Sequence, residues 1–115
     1  MIHKITESDK PRTLGEKVAE YLARPPQPVL RFFGGFENQG NRVEFKVRNG
    51  LPLPLLYGVY IQTDRGDYQE ATDHIGPFST DRWAVTFDRV PRQVEVRIGL
   101  IPFEIMTDKA HVVLQ

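Results

Sequence analysis

The stretch RVEFKVR, residues 42–48, alternates strictly between apolar and charged side chains. Val43, Phe45 and Val47 fall on one side of an extended chain, and the charged side chains fall on the other. A period of two is typical of a β-strand that buries one face and exposes the other. This stretch therefore predicts a strand in a half-buried sheet, and the segments around it can be interpreted from it.

Similar patterns extend on both sides of residues 42–48. Residues 29–33 open a strand, and the turn residues at 34–41 predict a hairpin between the two. Residues 55–63 are apolar on both faces in their first half, which predicts a central strand. The other predicted strands cover 67–72, 82–88, 93–100 and, as a last hairpin or one broken strand around a turn at 107–110, 103–106 with 111–114.

The strand pattern defines a fold class. About seven strands at short spacing, with no helix between them, predict a mainly β fold. The class that fits is an antiparallel β-sandwich, similar in architecture to immunoglobulin or fibronectin type III domains. Strand number and spacing carry this likeness, since the disulfide and the tryptophan of the third strand are missing. An OB-like barrel and a C2-like sandwich fit the same pattern.

The N-terminal segment carries a helix pattern. Thr13 and Glu16 form a capping box, and prolines at 25 and 26 end a predicted helix at about 14–24. Residues 1–27 thus form a polar segment with a helix and a proline linker, and residues 28–115 form the sandwich. So short a helix needs a docking partner, either its own sandwich or a neighbouring subunit. Its predicted docking face consists of Leu14, Val18, Tyr21 and Leu22.

Composition limits the class of protein. The chain has 115 residues, which fits one domain, and its 15 basic and 15 acidic side chains give a net charge of zero. This balance does not favour nucleic acid or a membrane as partner. Cysteine is absent, which rules out a disulfide scaffold. No secretory signal is visible, so we expect a cytoplasmic protein, with a virion component or an excised domain left open.

An acidic loop is the candidate binding site. Arg65, Gly66 and Asp67 resemble the integrin-binding triplet and fall at a predicted hairpin tip, where the same residues are also good turn formers. The loop carries acidic side chains at intervals of three, which suggests a cation or ligand sensor. A metal would also require Asp81 or Asp88 to converge on the loop. The predicted binding residues are Asp64, Arg65, Asp67, Glu70 and Asp73.

Catalytic patterns are not found. The three histidines are far apart in sequence, and neither serine lies in a nucleophile elbow. The glycine-rich stretch at 34–41 joins two strands and lacks the ending of a phosphate-binding loop. We therefore predict a protein that is not an enzyme and has no cofactor and no bound metal.

Three hypotheses about function follow. The first is a non-enzymatic interaction or assembly module, acting as an accessory, adaptor or structural subunit through sandwich edges and loops, with a protein partner or a second copy of itself. The second is a ligand or cation sensor that uses loop 64–73. The third is single-stranded nucleic-acid binding, because Arg31 is followed by Phe32, Phe33 and Phe36. Phenylalanine in such a strand more often belongs to the core.

Overall fold

The computed structural model describes residues 1–5, 30–101 and 105–114. Eight β-strands make up most of this part of the chain. In chain order they are β1 (Ile2–Ile5), β2 (Leu30–Gln39), β3 (Arg42–Asn49), β4 (Leu55–Thr63), β5 (Tyr68–Ile75), β6 (Thr80–Thr86), β7 (Gln93–Leu100) and β8 (Ile105–Val113). Nowhere in these three ranges is there a helix with the length and hydropathy that a membrane crossing needs.

The predicted N-terminal helix falls on residues that the structure does not describe. This applies to the span 14–24 and to its apolar face of Leu14, Val18, Tyr21 and Leu22. The helix and its docking face therefore stay predictions.

The strands form two antiparallel four-stranded sheets. The first sheet has the order β1-β6-β3-β2, and the second has the order β5-β4-β7-β8. The mainly β, antiparallel character predicted from the sequence is therefore confirmed. The central position predicted for residues 55–63 is also confirmed, because β4 covers these residues and lies between β5 and β7.

Both sheets contribute to one buried apolar core. The buried cluster consists of Leu30, Val43, Phe45, Val47, Tyr57, Val59, Ile61, Ile75, Trp83, Val85, Phe87, Val94, Val96, Ile98 and Val112. The alternation in β3 holds residue by residue, since Val43, Phe45 and Val47 are at most 2% exposed. Because the chain has no cysteine, burial of this cluster is the main stabilising term.

The hairpin between β2 and β3 is confirmed, but its predicted turn at 34–41 is too long. β2 continues through Gln39, so the turn contains only two residues. The register shifts between Phe33 and Glu37, where Gly34 adopts a φ of +74°. The glycines at this point therefore form a bulge inside the strand, because glycine tolerates a positive φ that other residues avoid.

The end of the chain forms one strand. β8 covers Ile105–Val113 and pairs with β7 along its length. Its register shifts opposite Ile98 and Gly99 of β7, where Thr107 has no cross-strand partner. Of the two alternatives predicted for this segment, the hairpin is therefore wrong and one strand interrupted near residue 107 is confirmed, since a bulge absorbs one extra residue without reversing the chain.

β1 is a strand that the sequence analysis does not predict. Residues 2–5 pair along the edge of the first sheet with residues 82–85 of β6. Four residues are too few for a period of two to stand out, and Lys4 takes the position opposite buried Trp83. The first sheet thus begins within the segment that the sequence presents as polar.

Polar contacts close the two flanks between the sheets. On one flank β2 lies beside β8, and the backbone amide of Phe32 donates to Asp108 Oδ2 at 3.0 Å. On the other flank β1 lies beside β5, and Lys4 Nζ is 3.0 Å from Asp73 Oδ2. Charged side chains at strand edges also oppose edge-to-edge pairing with other molecules.

Asn49 fixes the loops at one end of the molecule. Its side-chain amide donates to the carbonyl oxygens of Leu53 at 2.7 Å and Gly76 at 3.0 Å. Its side-chain oxygen accepts from the amide of Leu51 at 2.9 Å. The β3–β4 loop is therefore held against the β5–β6 loop, and we call this part of the molecule the Asn49 end.

Candidate functional site

At the end of the molecule opposite Asn49 lie the β2–β3 turn, the β4–β5 turn and the β6–β7 loop. Met1 and Leu114, the first and last described residues, lie there as well. The β2–β3 turn meets the β6–β7 loop, where the Phe87 amide donates to the Asn41 carbonyl at 2.9 Å. Met1 pairs with Thr86 beside them, and the Leu114 amide donates to the Arg92 carbonyl at 3.0 Å. We call this part of the molecule the turn end.

An open groove lies between the β4–β5 turn and the β6–β7 loop at the turn end. It encloses about 790 Å³. Its lining residues are Met1, Arg65, Asp67, Tyr68, Gln69, Thr86, Phe87, Asp88 and Arg89. Both signs of charge are therefore present in one groove, next to the aromatic ring of Tyr68, which is 50% exposed.

The β4–β5 turn is held in place by side-chain oxygens of Thr63 and Asp64 that accept from backbone amides. Thr63 Oγ1 lies 3.3 Å from the amide nitrogen of Arg65 and 3.2 Å from that of Asp67, and it accepts from both. Gly66 adopts a φ of +86°, which supports the interpretation of this triplet as turn residues. Asp64 Oδ1 accepts from the Arg92 amide at 3.2 Å and so ties the turn to the start of β7.

The charged side chains of the groove are not paired with one another. Within the described part of the chain, no ion pair involves Arg65, Asp67, Asp88 or Arg89. The backbone of the turn is fixed while these four side chains extend into solvent. The groove thus presents unused donors, acceptors and charges to a binding partner.

The five predicted binding residues do not form one site. Arg65 and Asp67 line the groove, whereas Asp64 is bound to the backbone of β7. Glu70 points outward from β5 and accepts from the Tyr68 hydroxyl at 3.1 Å. Asp73 lies on the other face of β5, against Lys4. Over residues 1–5, 30–101 and 105–114, no cluster of histidine and acidic side chains has the arrangement of a metal site.

Asp73 does converge with Asp81, but a lysine lies between them. Lys4 Nζ is 3.0 Å from Asp73 Oδ2 and 3.2 Å from Asp81 Oδ1. The other carboxylate oxygen of Asp81 accepts from the Tyr57 hydroxyl at 2.6 Å, and Trp83 Nε1 donates to that hydroxyl at 2.7 Å. These residues form a polar chain across four strands, which we call the Lys4 network.

The electrostatics of the Lys4 network keep Lys4, Tyr57 and Asp73 in their ordinary charge states. Burial and the bond to Asp81 raise the pKa of Tyr57, so its hydroxyl stays protonated and donates. Burial opposes the charge on Lys4, but the bonds to Asp73 and Asp81 outweigh it and raise the Lys4 pKa. Burial likewise opposes the charge on Asp73, but the His74 amide and Lys4 outweigh it and lower the Asp73 pKa.

These shifts predict a pH window for the contribution of Lys4 to stability. Because the Asp73 pKa is lowered from 3.8, this stabilisation is present above pH 3.8 and is lost as the pH falls further. Because the Lys4 pKa is raised from 10.5, the stabilisation is present below pH 10.5 and is lost at higher pH. Because the Lys4 and Asp73 side chains are 36% and 35% exposed, solvent screens their attraction, and we expect Lys4→Met to cost no more than about 1 kcal/mol at neutral pH and clearly less near pH 2.

Thermal unfolding of both proteins between pH 2 and pH 8 measures this effect. Lys46→Met, which removes an exposed lysine from the middle of β3, is the matched control and should show no such pH dependence. A Lys4→Met penalty that stayed constant from pH 2 to pH 8 would contradict the assignment.

The aromatic cluster on β2 is turned largely inward. The ring centroids of Phe32 and Phe36 lie 5.8 and 5.6 Å from that of Phe45, which is buried. Phe33 is 38% exposed, and Arg48 lies over its ring at 5.4 Å from the centroid. Two of the three β2 phenylalanines that suggested base stacking therefore pack within the protein.

The Lys4 network and half of the groove are not predicted from the sequence. A signal for the network was present in β6, where Asp81 precedes Trp83 and Val85 at intervals of two. That spacing puts a carboxylate on the buried face, where it needs a partner. On the β6–β7 side of the groove, Asp88 could be named only as a residue that a metal in loop 64–73 would require, and it does line the groove, whereas Arg89 looks like an ordinary loop residue.

Comparison with known proteins does not identify a relative. The chain matches no protein-family profile and no curated protein sequence. What the groove can bind therefore follows from its own side chains.

Proposed function

We propose that the chain is a non-enzymatic protein-interaction or assembly module, built on a β-sandwich like those of immunoglobulin and fibronectin type III domains. Strand order supports the fold: β2-β3-β6 follows the order A-B-E, and β5-β4-β7-β8 follows C′-C-F-G. β1 is then an added strand beside E. The chain departs from the immunoglobulin pattern in having its buried tryptophan on β6 and no cysteine.

The groove at the turn end is the proposed partner site. The observation that carries the proposal is that four charged side chains of both signs surround an open groove and make no ion pairs within the described residues. Arginine and tyrosine are frequent among residues that dominate binding energy, and both are present here. A surface loop of a partner protein that carries an acidic and a basic side chain would form ion pairs with the charged side chains of the groove.

Most of the shifted pKa values of the described residues lie away from the groove. Lys4, Tyr57 and Asp73 have shifted pKa values, and they are bonded within the Lys4 network and do not line the groove. Tyr68 does line the groove, and burial and the bond to Glu70 raise the pKa of its hydroxyl, which keeps the hydroxyl protonated. A catalytic acid or base is usually found where a substrate can reach it, so this distribution supports a role without catalysis.

Charge reversal in the groove tests the proposal. The protein is immobilised, binding proteins are captured from a lysate of the source organism, and the dissociation constant of each captured protein is measured. We expect Arg65→Glu combined with Arg89→Glu to weaken binding of the genuine partner at least tenfold, because opposite charges then become like charges. The melting temperature of the variant should stay close to that of the wild type, since both side chains are exposed.

The matched control reverses the same number of charges elsewhere. Lys46→Glu combined with Lys109→Glu changes exposed lysines on the middle of β3 and on β8, outside the groove lining. This control should retain the partner with unchanged affinity. Equal binding by the wild type and the groove variant would place the partner on a different surface and overturn the proposal.

A further inference from the structure

Positive charge is concentrated on the outer face of the first sheet, although the chain as a whole has a net charge of zero. Arg31 of β2 lies directly opposite Arg48 of β3. In the next outward-facing pair of positions, Lys46 of β3 lies directly opposite Arg82 of β6. All four residues alternate with the buried positions of their strands, so their side chains point away from the core. We call the surface that these four residues form the basic face.

The arrangement of charges on the basic face has an energetic cost. Like charges that lie directly opposite each other on neighbouring strands destabilise a sheet. Glu44 offsets part of this repulsion, because it pairs with Arg82 at 2.8 Å. Within the described residues, neither Arg31 nor Lys46 forms an ion pair. A bound anion would reduce the repulsion, so the basic face favours a partner that carries several negative charges.

An exposed aromatic ring lies among these cations. Phe33 is directly opposite Lys46, and Arg48 lies over its ring at 5.4 Å from the centroid. Phe33 is 38% exposed, whereas Phe32 and Phe36 pack against the core. This combination is typical of proteins that bind single strands, because bases stack on aromatic rings and arginine guanidinium groups while cations contact the phosphates. The carboxylates of an acidic polypeptide would use the cations but not the ring.

The basic face ends at the β2 bulge. After Phe33 and Lys46, the next outward-facing pair on these two strands is Glu37 opposite Glu44. These carboxylates would repel a phosphate group. A strand bound at the basic face would therefore extend from the Phe33 ring toward the Asn49 end, where Arg31 and the arginine opposite it lie.

We propose that the basic face binds single-stranded nucleic acid. The phosphates pair with Arg31, Lys46 and the two other arginines of the face, and one base stacks at Phe33. The contacts are made to phosphates and to the flat face of a base, so binding does not depend on base sequence, and RNA and DNA single strands share this chemistry. The groove lies at the turn end, so this activity does not depend on the function proposed there.

Fluorescence anisotropy of labelled oligonucleotides tests the proposal. The probes are oligothymidylate and oligouridylate of about twelve nucleotides, titrated with the 115-residue chain. We expect a dissociation constant of about 1–100 μM at physiological salt. Between about 50 and 200 mM salt the affinity should fall about 20- to 50-fold, which is the dependence expected for three or four phosphate contacts. No binding of either probe, or an affinity that does not change with salt, would overturn the proposal.

Charge reversal tests whether the basic face is the binding surface. Arg31→Glu combined with Lys46→Glu should weaken binding of both probes at least tenfold, because cations that face phosphates become anions. Arg92→Glu combined with Lys109→Glu is the matched control, since it makes the same change in net charge at exposed positions outside the basic face. The control should bind within about threefold of the wild type, and circular dichroism checks the folding of both variants. Equal losses for the two variants would mean that net charge alone attracts the probes, and the proposal would fail.

Phe33→Leu distinguishes a single strand from other polyanions. The substitution keeps an apolar side chain at this exposed position and leaves every charge in place. Loss of base stacking should weaken binding of both oligonucleotides at least about fivefold, while binding of polyglutamate and of a DNA duplex should not change. An unchanged affinity for the oligonucleotides would overturn the proposal. Tighter binding of polyglutamate or of the duplex than of the oligonucleotides would assign the basic face to an acidic protein or to double-stranded DNA and would overturn it as well.

Discussion

Replacement of Phe45 by alanine is expected to lower the free energy of unfolding by about 3–5 kcal/mol. Phe45 is 2% exposed, and its ring contacts those of Phe32 and Phe36 at the β2 bulge. Alanine would leave a cavity between two aromatic rings that the bulge holds in place, so the site cannot collapse easily. A domain of this size is typically stable by about 5–15 kcal/mol, so the variant should remain folded but marginal.

Urea unfolding of the Phe45→Ala variant measures this loss as a shift of the midpoint. Phe33→Ala is the matched control, because it removes the same ring from an exposed position on the neighbouring strand. The control should cost no more than about 1 kcal/mol. Similar losses for the two variants would show that the β2 cluster does not pack against β3 as described.

Removal of the Tyr57 hydroxyl is expected to destabilise the domain by about 2–4 kcal/mol. The hydroxyl accepts from Trp83 Nε1 and donates to Asp81 Oδ2, so Tyr57→Phe leaves a buried indole N–H and a carboxylate oxygen without this partner. A buried polar group that loses its partner costs about 1–3 kcal/mol. The ring itself stays in place, and the change therefore isolates the polar part of the Lys4 network.

A double-mutant cycle tests whether Tyr57 and Trp83 are directly hydrogen-bonded. In the Tyr57→Phe background, Trp83→Phe removes the orphaned N–H, so its cost should be smaller than in the wild type. Tyr60→Phe, on the opposite face of β4, is the control and should leave thermal stability nearly unchanged. Additive losses for the Tyr57 and Trp83 substitutions would argue against a direct hydrogen bond between them.

Much of the fold could be predicted because its strands obey simple periodicities. β3 and β7 alternate cleanly, and their predicted bounds at 42–48 and 93–100 agree with the structure to within one residue. β4 could be recognised as central because its first half is apolar on both faces. In these segments local pattern and tertiary burial favour the same structure.

The long turn at 34–41 and the hairpin alternative at 107–110 are wrong because a residue is inserted into a strand at each place. Gly34 and Thr107 lie at bulges, where the chain deviates from the ladder without turning back. From sequence, a glycine pair or a TDKA stretch is typical of a turn, because turn residues and bulge residues share the same backbone freedom. Only the pairing partner, which is remote in sequence, decides between them.

The candidate site was only partly predictable for a related reason. The turn that displays Arg65 and Asp67 could be located, because its residues are adjacent in sequence. The other half of the groove comes from the β6–β7 loop, and the topology of two sheets brings it there. Asp73 was assigned to the same loop as Arg65, but the alternation of β5 turns it to the opposite flank, where Lys4 binds it.

The position of Met1 in the groove lining has a practical consequence for handling the protein. An affinity tag fused before Met1 would project beside the groove and obstruct the access of a binding partner. Leu53 offers a better anchor, since it is 49% exposed on the loop that Asn49 holds at the far end. Leu53→Cys would give the chain a single thiol, and coupling through it would orient every molecule with its groove toward the solution.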